Sequence, residues 1–524
     1  MKKGTFLLFA ILSFQCSYAQ WWNAYSEKTG LILSLHQTDS AFELYSPLQT
    51  SDPIPVSKWS LKNDTLHLEC ASIGFKATLT RNTTPLPPSE RGDEDRTSSK
   101  KGDEDGDVHS LPFPLSEGGQ ITWTGTWRQG LMKESVTFRP TDTLFQLRRP
   151  QTPQPPYHFD EETITADYTD SYGNTVHLEG TLTVPRQPSS SSPKLGEGDR
   201  RSTAVEECVK FPTLLLVSGS GQQNRDEEIF QHKPFLVLAD YLASRGIAVL
   251  RYDDRGVGAS HCSPPDTGGV PRRGEGVSDG RACLDSADTY LFAEDAEAMF
   301  NVLKNNPHVD PNRLGIGGHS EGGAIAPMVA ARNKDVKFVV MLAGQGCTGL
   351  EVLVQQNEAI FKANGLSERL VAVRTNCFRE LFQLPEGSKK KDYQEVIDRH
   401  TASLSKQQLD SIGLGKGSAY QMKQQLDSRW MRTFLSLNPA DYLPKVQCPI
   451  LALQGAKDCQ VVAVPNIEQI TLLTGKNSHC EIFANLNHLF QHCTTGSPNE
   501  YMMIEETFAP EAMKAIADWI LALP

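Results

Sequence analysis

The residues with chemistry to offer are a serine, an acid and a histidine far apart in the chain. The serine stands in Gly318-His319-Ser320-Glu321-Gly322, after the short apolar run Leu314 to Gly317 and before a small-residue helical pattern. A G-x-S-x-G in that setting reads as strand, tight turn and helix, a turn that lifts a nucleophile clear of the backbone. The glycines have a steric reason, since side chains at 318 and 322 would meet the flanking strand and helix. Ser320 Oγ would then project from a strand's carboxyl end beside a helix amino terminus, whose dipole favours developing negative charge. The pattern also arises by chance, and a glycine-rich loop before a packed helix is the plain alternative. The rest of the chain has to decide.

A serine hydroxyl is a weak nucleophile until a base takes its proton, and the base needs an acid to fix its tautomer. Pro449-Ile-Leu-Ala-Leu-Gln-Gly-Ala-Lys-Asp458 places Asp458 just past an apolar strand, and Phe483-Ala-Asn-Leu-Asn-His488 places His488 just past the next. Ser320, Asp458 and His488 therefore come from the ends of three strands, in an order known for this chemistry. His319, His479 and His492 are rival histidines. His319 would point away from its neighbour Ser320, His479 precedes its strand, and His492 remains a fallback one helical turn on. Glu321 and Asp441 are rival acids, the first leaving on the helix and the second on the wrong end of its strand. An oxyanion hole needs two donors. The Glu321 backbone N–H supplies one, and the glycine loop Ser218-Gly219-Ser220-Gly221 the other, from Ser220 or, next in preference, Gly221. That loop lacks the G-x-x-x-x-G-K-[ST] and G-x-G-x-x-G spacings of nucleotide sites, so no cofactor is expected. Without C-x-x-C, His-x-x-x-His or H-E-x-x-H, no metal is expected either.

Five motifs together resemble bacterial secreted α/β-hydrolase esterases that carry an N-terminal β domain. They are Ser218-Gly-Ser-Gly-Gln-Gln-Asn-Arg-Asp-Glu227, Arg251-Tyr-Asp-Asp-Arg-Gly-Val-Gly-Ala-Ser260, Gly318-His-Ser-Glu-Gly-Gly323, Gly455-Ala-Lys-Asp-Cys-Gln-Val461 and Leu486-Asn-His-Leu-Phe490. The resemblance runs from about residue 160 to the end, and Gly125-Thr-Trp-Arg-Gln-Gly130 looks like the closing strand of that family's front domain. It implies ester hydrolysis with Ser320, Asp458 and His488 as triad, and an Arg255–Asp295 pair tying a loop to the next helix; short acyl esters are the expected substrates, a preference the resemblance itself does not carry. A serine peptidase or thioesterase would use the same triad. Outside enzymes, the alternative is a ligand-binding protein acting through its β domain with a hydrolase remnant, and the intact triad argues against it.

The elements that must position these groups follow a legible rhythm. Residues 20–148 hold short strands of period two, expected as a small antiparallel β domain. Its Trp21, Trp22, Trp59, Trp123 and Trp127 could line a ligand surface, though core packing is the commoner use. Residues 150–156 read as an interdomain linker. From 157 to 524 near-continuous apolar strands alternate with helices after an initial hairpin around Asp170 to Asn174, which predicts an α/β fold with a doubly wound, mostly parallel sheet. Consecutive helical patterns over 350–440 interrupt that rhythm and would cap the strand ends. Trp430 and Phe434, with Met431 and Leu435, could wall an acyl pocket there or fill the cap's own core. Two segments rich in Ser, Pro, Gly and charge, 85–119 and 186–210, read as disordered inserts.

Lys2 and Lys3 before the apolar run Phe6 to Phe14, then Ser17-Tyr-Ala19, give a signal-peptide pattern over 1–19. Cleavage after Ala19 and export to the periplasm or beyond are expected. The apolar run is too short to span a membrane and no other approaches that length. Formal net charge is −12, with no basic stripe, which disfavours nucleic acid and leaves a small-molecule ester as the expected partner. Oligomeric state is left open. With eleven cysteines and an oxidising destination, Cys262–Cys283 and Cys459–Cys493 are candidate disulfides, with free buried thiols as the alternative.

Overall fold

A computed structural model describes residues 20–25, 32–37, 42–45, 54, 56–71, 75–83, 121–129, 132–141, 147–186, 208–264 and 287–524. The expected signal peptide, the 85–119 insert, Cys283 and most of the 186–210 insert lie outside them. The ends of that second insert are ordered: Arg186 pairs with Asp160, and the Cys208 thiol lies 3.1 Å from His308 Nδ1. Among the described residues no helix is long and apolar enough to cross a membrane. The chain divides into two compact units, residues 1–147 and 148–524.

The first unit is an eight-stranded sheet. Its strands are β1 (Gln20–Tyr25), β2 (Ile32–Gln37), β3 (Phe42–Tyr45), β4 (Lys58–Lys62), β5 (Thr65–Cys70), β6 (Phe75–Thr83), β7 (Ile121–Gln129) and β8 (Met132–Thr141). They lie in the order β3-β2-β1-β8-β7-β6-β5-β4 with every neighbour antiparallel. Alternate residues face one core, in which Trp22, Trp123 and Trp127 pack with Phe42, Phe75 and Phe138. Three of the five tryptophans are thus core. Trp21 instead stacks on His36, with ring centroids 4.0 Å apart, and Trp59 is exposed.

The second unit opens with the hairpin β9 (Phe159–Thr169) and β10 (Thr175–Pro185), followed by β11 (Phe211–Val217), α1 (Pro234–Ser244), β12 (Ala248–Tyr252), β13 (His261–Ser263) and α2 (Thr289–Leu303). Next come β14 (Val309–His319), α3 (Glu321–Arg332) and β15 (Val339–Leu342). After a helical excursion the sheet resumes with β16 (Ile450–Gly455), α10 (Ala463–Thr474), β17 (Ser478–Phe483) and α11 (Pro510–Ala522). The strand order β13-β10-β12-β11-β14-β15-β16-β17, with β9 outside β10, is parallel from β12 to β17. Helices α2 and α3 bury Ala293, Met299, Phe300, Ala324 and Val329 on one face, while α1 and α11 bury Phe235, Leu238, Ala512 and Ile516 on the other. Strands buried on both faces are why these runs lack alternation.

Two details depart from expectation. The expected interdomain linker is fastened to this unit: its Gln151 donates to the carbonyl of Phe508, and Arg149 just before it donates to those of Phe230, Met502 and Ile504. Strand β13, too short for a period to show, adds an edge to β10.

The excursion between β15 and β16 is helical throughout: α4 (Gly349–Ala363), α5 (Glu368–Phe382), α6 (Lys390–Thr401), α7 (Lys406–Ser411), α8 (Ser418–Leu426) and α9 (Arg429–Ser436). It has its own core around Phe378, Leu381, Tyr393, Val396 and Met431.

Candidate active site

The turn between β14 and α3 has the geometry its glycines require. Ser320 sits at φ 55°, ψ −115°, a conformation that is costly for any side-chain-bearing residue and marks a held, strained position. Its N–H donates to Leu342 O on β15 (2.8 Å). A Cβ at Gly318 would lie 2.4 Å from the Gly322 backbone, and one at Gly322 only 2.1 Å from Val217 O. Backbone atoms cannot step aside as a side-chain tip can, so both positions must be glycine.

Asp458 and His488 reach the same place from the ends of β16 and β17. Asp458 Oδ1 accepts the N–H groups of Gln460 (2.7 Å) and Val461 (2.8 Å), and Oδ2 accepts His488 Nδ1–H at 2.7 Å. Both side chains are buried. The His488 loop is shaped by Asn487, whose Oδ1 accepts from the N–H groups of Leu489 and Gln491. It passes so close to β16 that a Cβ at Gly455 would lie 2.2 Å from Leu486 O. Ser320 and His488 line one cavity of about 240 Å³. No hydrogen bond joins them among the described contacts; in free hydrolases such bonds are often long and tighten only around substrate.

The loop after β11 forms the opposite wall, and the Arg251–Ser260 motif holds it. Asp254 accepts Ser218 Oγ–H and Gln223 N–H, both at 2.9 Å, while Asp253 accepts Arg225 N–H at 2.7 Å and pairs with its guanidinium. Gly219 and Ser220 line the cavity. The Gly219 N–H is spent on Glu227 Oε1 (2.7 Å) and is not available to a substrate oxygen. Gly221, the expected alternative, is a turn residue at φ 96° and does not line the cavity. Behind the loop, Arg255 is fully buried between Asp295 (2.8 Å) and Asp170 (3.0 Å), so the expected Arg255–Asp295 pair is present and carries a second acid.

The cap closes the cavity from above. Trp430 and Phe434 of α9, rings 5.5 Å apart, face it together with Val352 and Leu353 of α4, whereas Met431 and Leu435 turn into the cap's own core. Gln223, Gln356, Gln460 and Tyr501 add a polar, uncharged side. Of these only Gln223 and Gln460 fall in a motif visible beforehand; nothing in the sequence pointed to Tyr501 or Gln356. Glu321 does not simply leave on its helix. Its carboxyl is buried and accepts from Thr289 Oγ1 (2.5 Å) and Trp430 Nε1 (3.0 Å). Burial raises its pKa. It links cap and elbow.

The rival groups are occupied elsewhere. His492 is half exposed between Glu506 (2.9 Å) and Glu511 (3.0 Å), His479 lies on β17, and Asp441 is exposed. His319 is buried against Glu227. Among the described residues no cluster of three or more His, Cys, Asp or Glu is placed to hold a metal ion. Cys262 is disulfide-bonded, and the Cys283 end of the expected pair lies outside the described residues. Cys459 and Cys493 are both free, so that expected disulfide is not formed; each thiol lies against backbone carbonyls instead, Cys459 near Lys457 O and Cys493 near Asn485 O.

A strained serine elbow after a parallel strand, with acid and histidine following two later strands, decides the architecture. The fold is that of an α/β hydrolase. A family model described as serine aminopeptidase, S33, matches residues 233–492, just under half of the chain. Esterase EstD of Thermotoga maritima is 26% identical over 294 residues, covering 56% of this chain and 58% of its own length. The chain thus spans under two thirds of that relative. Among solved structures, Pyrococcus furiosus esterase Pf2001 covers 69% of this chain and 90% of its own at 13% identity and a TM-score of 0.34. Proline iminopeptidase of Mycobacterium smegmatis covers 69% and 98% at 14% identity and a TM-score of 0.36.

Proposed function

We propose that this α/β hydrolase cleaves small, uncharged carboxylic esters through a Ser320 acyl-enzyme, and that it acts after export with residues 1–19 removed. The observation that carries the reading is the Asp458–His488 bond at the wall of the cavity that Ser320 lines. His488 Nε2 takes the Ser320 proton as Oγ attacks the ester carbonyl, and Asp458 steadies the imidazolium. The N–H groups of Glu321 and Ser220 hold the oxyanion. Collapse expels the alcohol with the proton from His488, and water repeats the sequence to release the acid. A cavity of about 240 Å³ favours short acyl groups against Trp430 and Phe434.

The family description raises a second reading, release of an N-terminal amino acid. An aminopeptidase needs a free carboxylate to hold its substrate's ammonium group. Glu227 is the one acid lining the cavity among the described residues, and its Oε1 is already engaged by Gly219 and His319. Ester cleavage therefore comes first. A p-nitrophenyl ester series run beside aminoacyl p-nitroanilides separates the two. Faster turnover of acetyl or butyryl esters is expected, and faster turnover of the anilides would reverse the order.

A further inference from the structure

Beneath Asp458 and His488 lies a second acid–imidazole pair that the acyl-transfer steps do not use. Glu227 is buried, at φ 52°, a left-handed conformation that a β-carbon disfavours. Its Oε1 accepts Gly219 N–H at 2.7 Å and lies 2.9 Å from His319 Nδ1. On the other side of the ring, His319 Nε2 lies 2.8 Å from His488 O. A carbonyl oxygen can only accept, so Nε2 carries a proton, and Nδ1 and Glu227 Oε1 share another between them. His319 and Glu227 thus form a buried acid–imidazole pair. Burial alone would lower its pKa, but Glu227, the His488 carbonyl and Asp458 together outweigh burial and the net direction is upward.

The pair forms one line of contacts. It begins at Gly219, whose successor Ser220 presents the oxyanion donor, crosses Glu227 and His319, the residue before Ser320, and ends on the backbone of His488. The His319 and His488 rings lie 4.6 Å apart. A buried ion pair is a weak source of stability, since desolvation offsets most of the attraction; its attested use is to select one geometry over others.

We propose that Glu227 and His319 are positioning residues, which hold the oxyanion loop and the base-bearing loop in register across the elbow. Neither touches reacting atoms. The inference rests on the acyl-enzyme reading above. Losing the pair lets both loops shift against Ser320, and displacements of about 1 Å at such sites cost about 10²-fold in rate.

The test compares wild type with Glu227→Ala, Glu227→Gln and His319→Ala on p-nitrophenyl butyrate, together with the rate at which a fluorophosphonate labels Ser320. Glu227→Ala and His319→Ala are expected to lose about 10²-fold in kcat and in labelling rate, with KM within about threefold of wild type. Glu227→Gln keeps a carbonyl oxygen for the same donors and is expected to recover at least about tenfold of that loss. Labelling of Glu227→Ala at the wild-type rate would overturn the proposal, as would a change in KM with kcat intact, or no recovery in Glu227→Gln. If one alanine variant fails to fold, the other carries the test; if both fail while Glu227→Gln folds with impaired kcat, the pair is structural and the proposal falls. Wild type that neither hydrolyses the ester nor labels at Ser320 would sink the acyl-enzyme reading itself. Wild type active in both beside a fully reactive Glu227→Ala would sink this inference alone.

Discussion

Trp430→Phe isolates the bond by which the cap is fastened over the site. The indole N–H lies 3.0 Å from both carboxyl oxygens of Glu321, a side chain only 2% exposed that also accepts from Thr289 Oγ1. Phenylalanine keeps an aromatic ring against Phe434 but removes the donor together with part of the indole's packing. Leaving the buried carboxyl without that donor costs about 1–3 kcal/mol, to which the lost ring contact adds its own share. The assay is urea unfolding followed by far-ultraviolet circular dichroism, in wild type and again in a Glu321→Ala background. Where the carboxyl is gone only the packing cost remains, so the same substitution should cost less there by about 1–3 kcal/mol, the share that belongs to the pair. Equal costs in the two backgrounds would show that the indole acts through packing, and the cap would not be fastened in this way.

Two further outcomes follow from the charged and sulfur-bearing groups. His319 has a raised pKa in the folded protein, so folded molecules hold a proton that unfolded chains release above about pH 6.5. The stability it confers is complete below that pH and is lost as pH rises through the folded value. The unfolding free energy of wild type minus that of the Glu227→Gln/His319→Gln double variant should therefore shrink between pH 6 and pH 9, and a difference that grows over that range contradicts the assignment. Alkylation of the denatured, unreduced protein should modify Cys459 and Cys493 but leave Cys262 untouched until reductant is added; recovery of a disulfide-linked Cys459–Cys493 peptide pair contradicts the site as described.

What could be read in advance divides along a physical line. Runs such as Leu214 to Val217 and Ile450 to Leu453 are apolar at every position because each strand is covered on both faces, and that local signature located the sheet. Gly318 and Gly322 were legible because the clash they avoid is with backbone a few residues away or in the adjoining strand. Partnerships set by tertiary folding left no such trace. Glu227 stood in a recognisable motif, yet its bond to His319 joins residues 92 positions apart. Glu321 was expected to leave along its helix, but its contact with Trp430 exists only because the cap descends on it. Ser220 was preferred to Gly221 as a donor from the loop's pattern alone; that Gly219 is committed to Glu227, and that Gly221 takes a left-handed turn, could not be seen there. Gln151 looked like a linker residue for the same reason: its acceptor is a carbonyl far along the chain.

The claim on which the rest stands is that Ser320 is made nucleophilic by His488 and Asp458. Incubation with a fluorophosphonate, followed by peptide mass mapping, tests it directly. One adduct at Ser320 is expected, slowed by orders of magnitude in His488→Ala and absent in Ser320→Ala. An unlabelled wild type, or labelling that persists unchanged without His488, would contradict it.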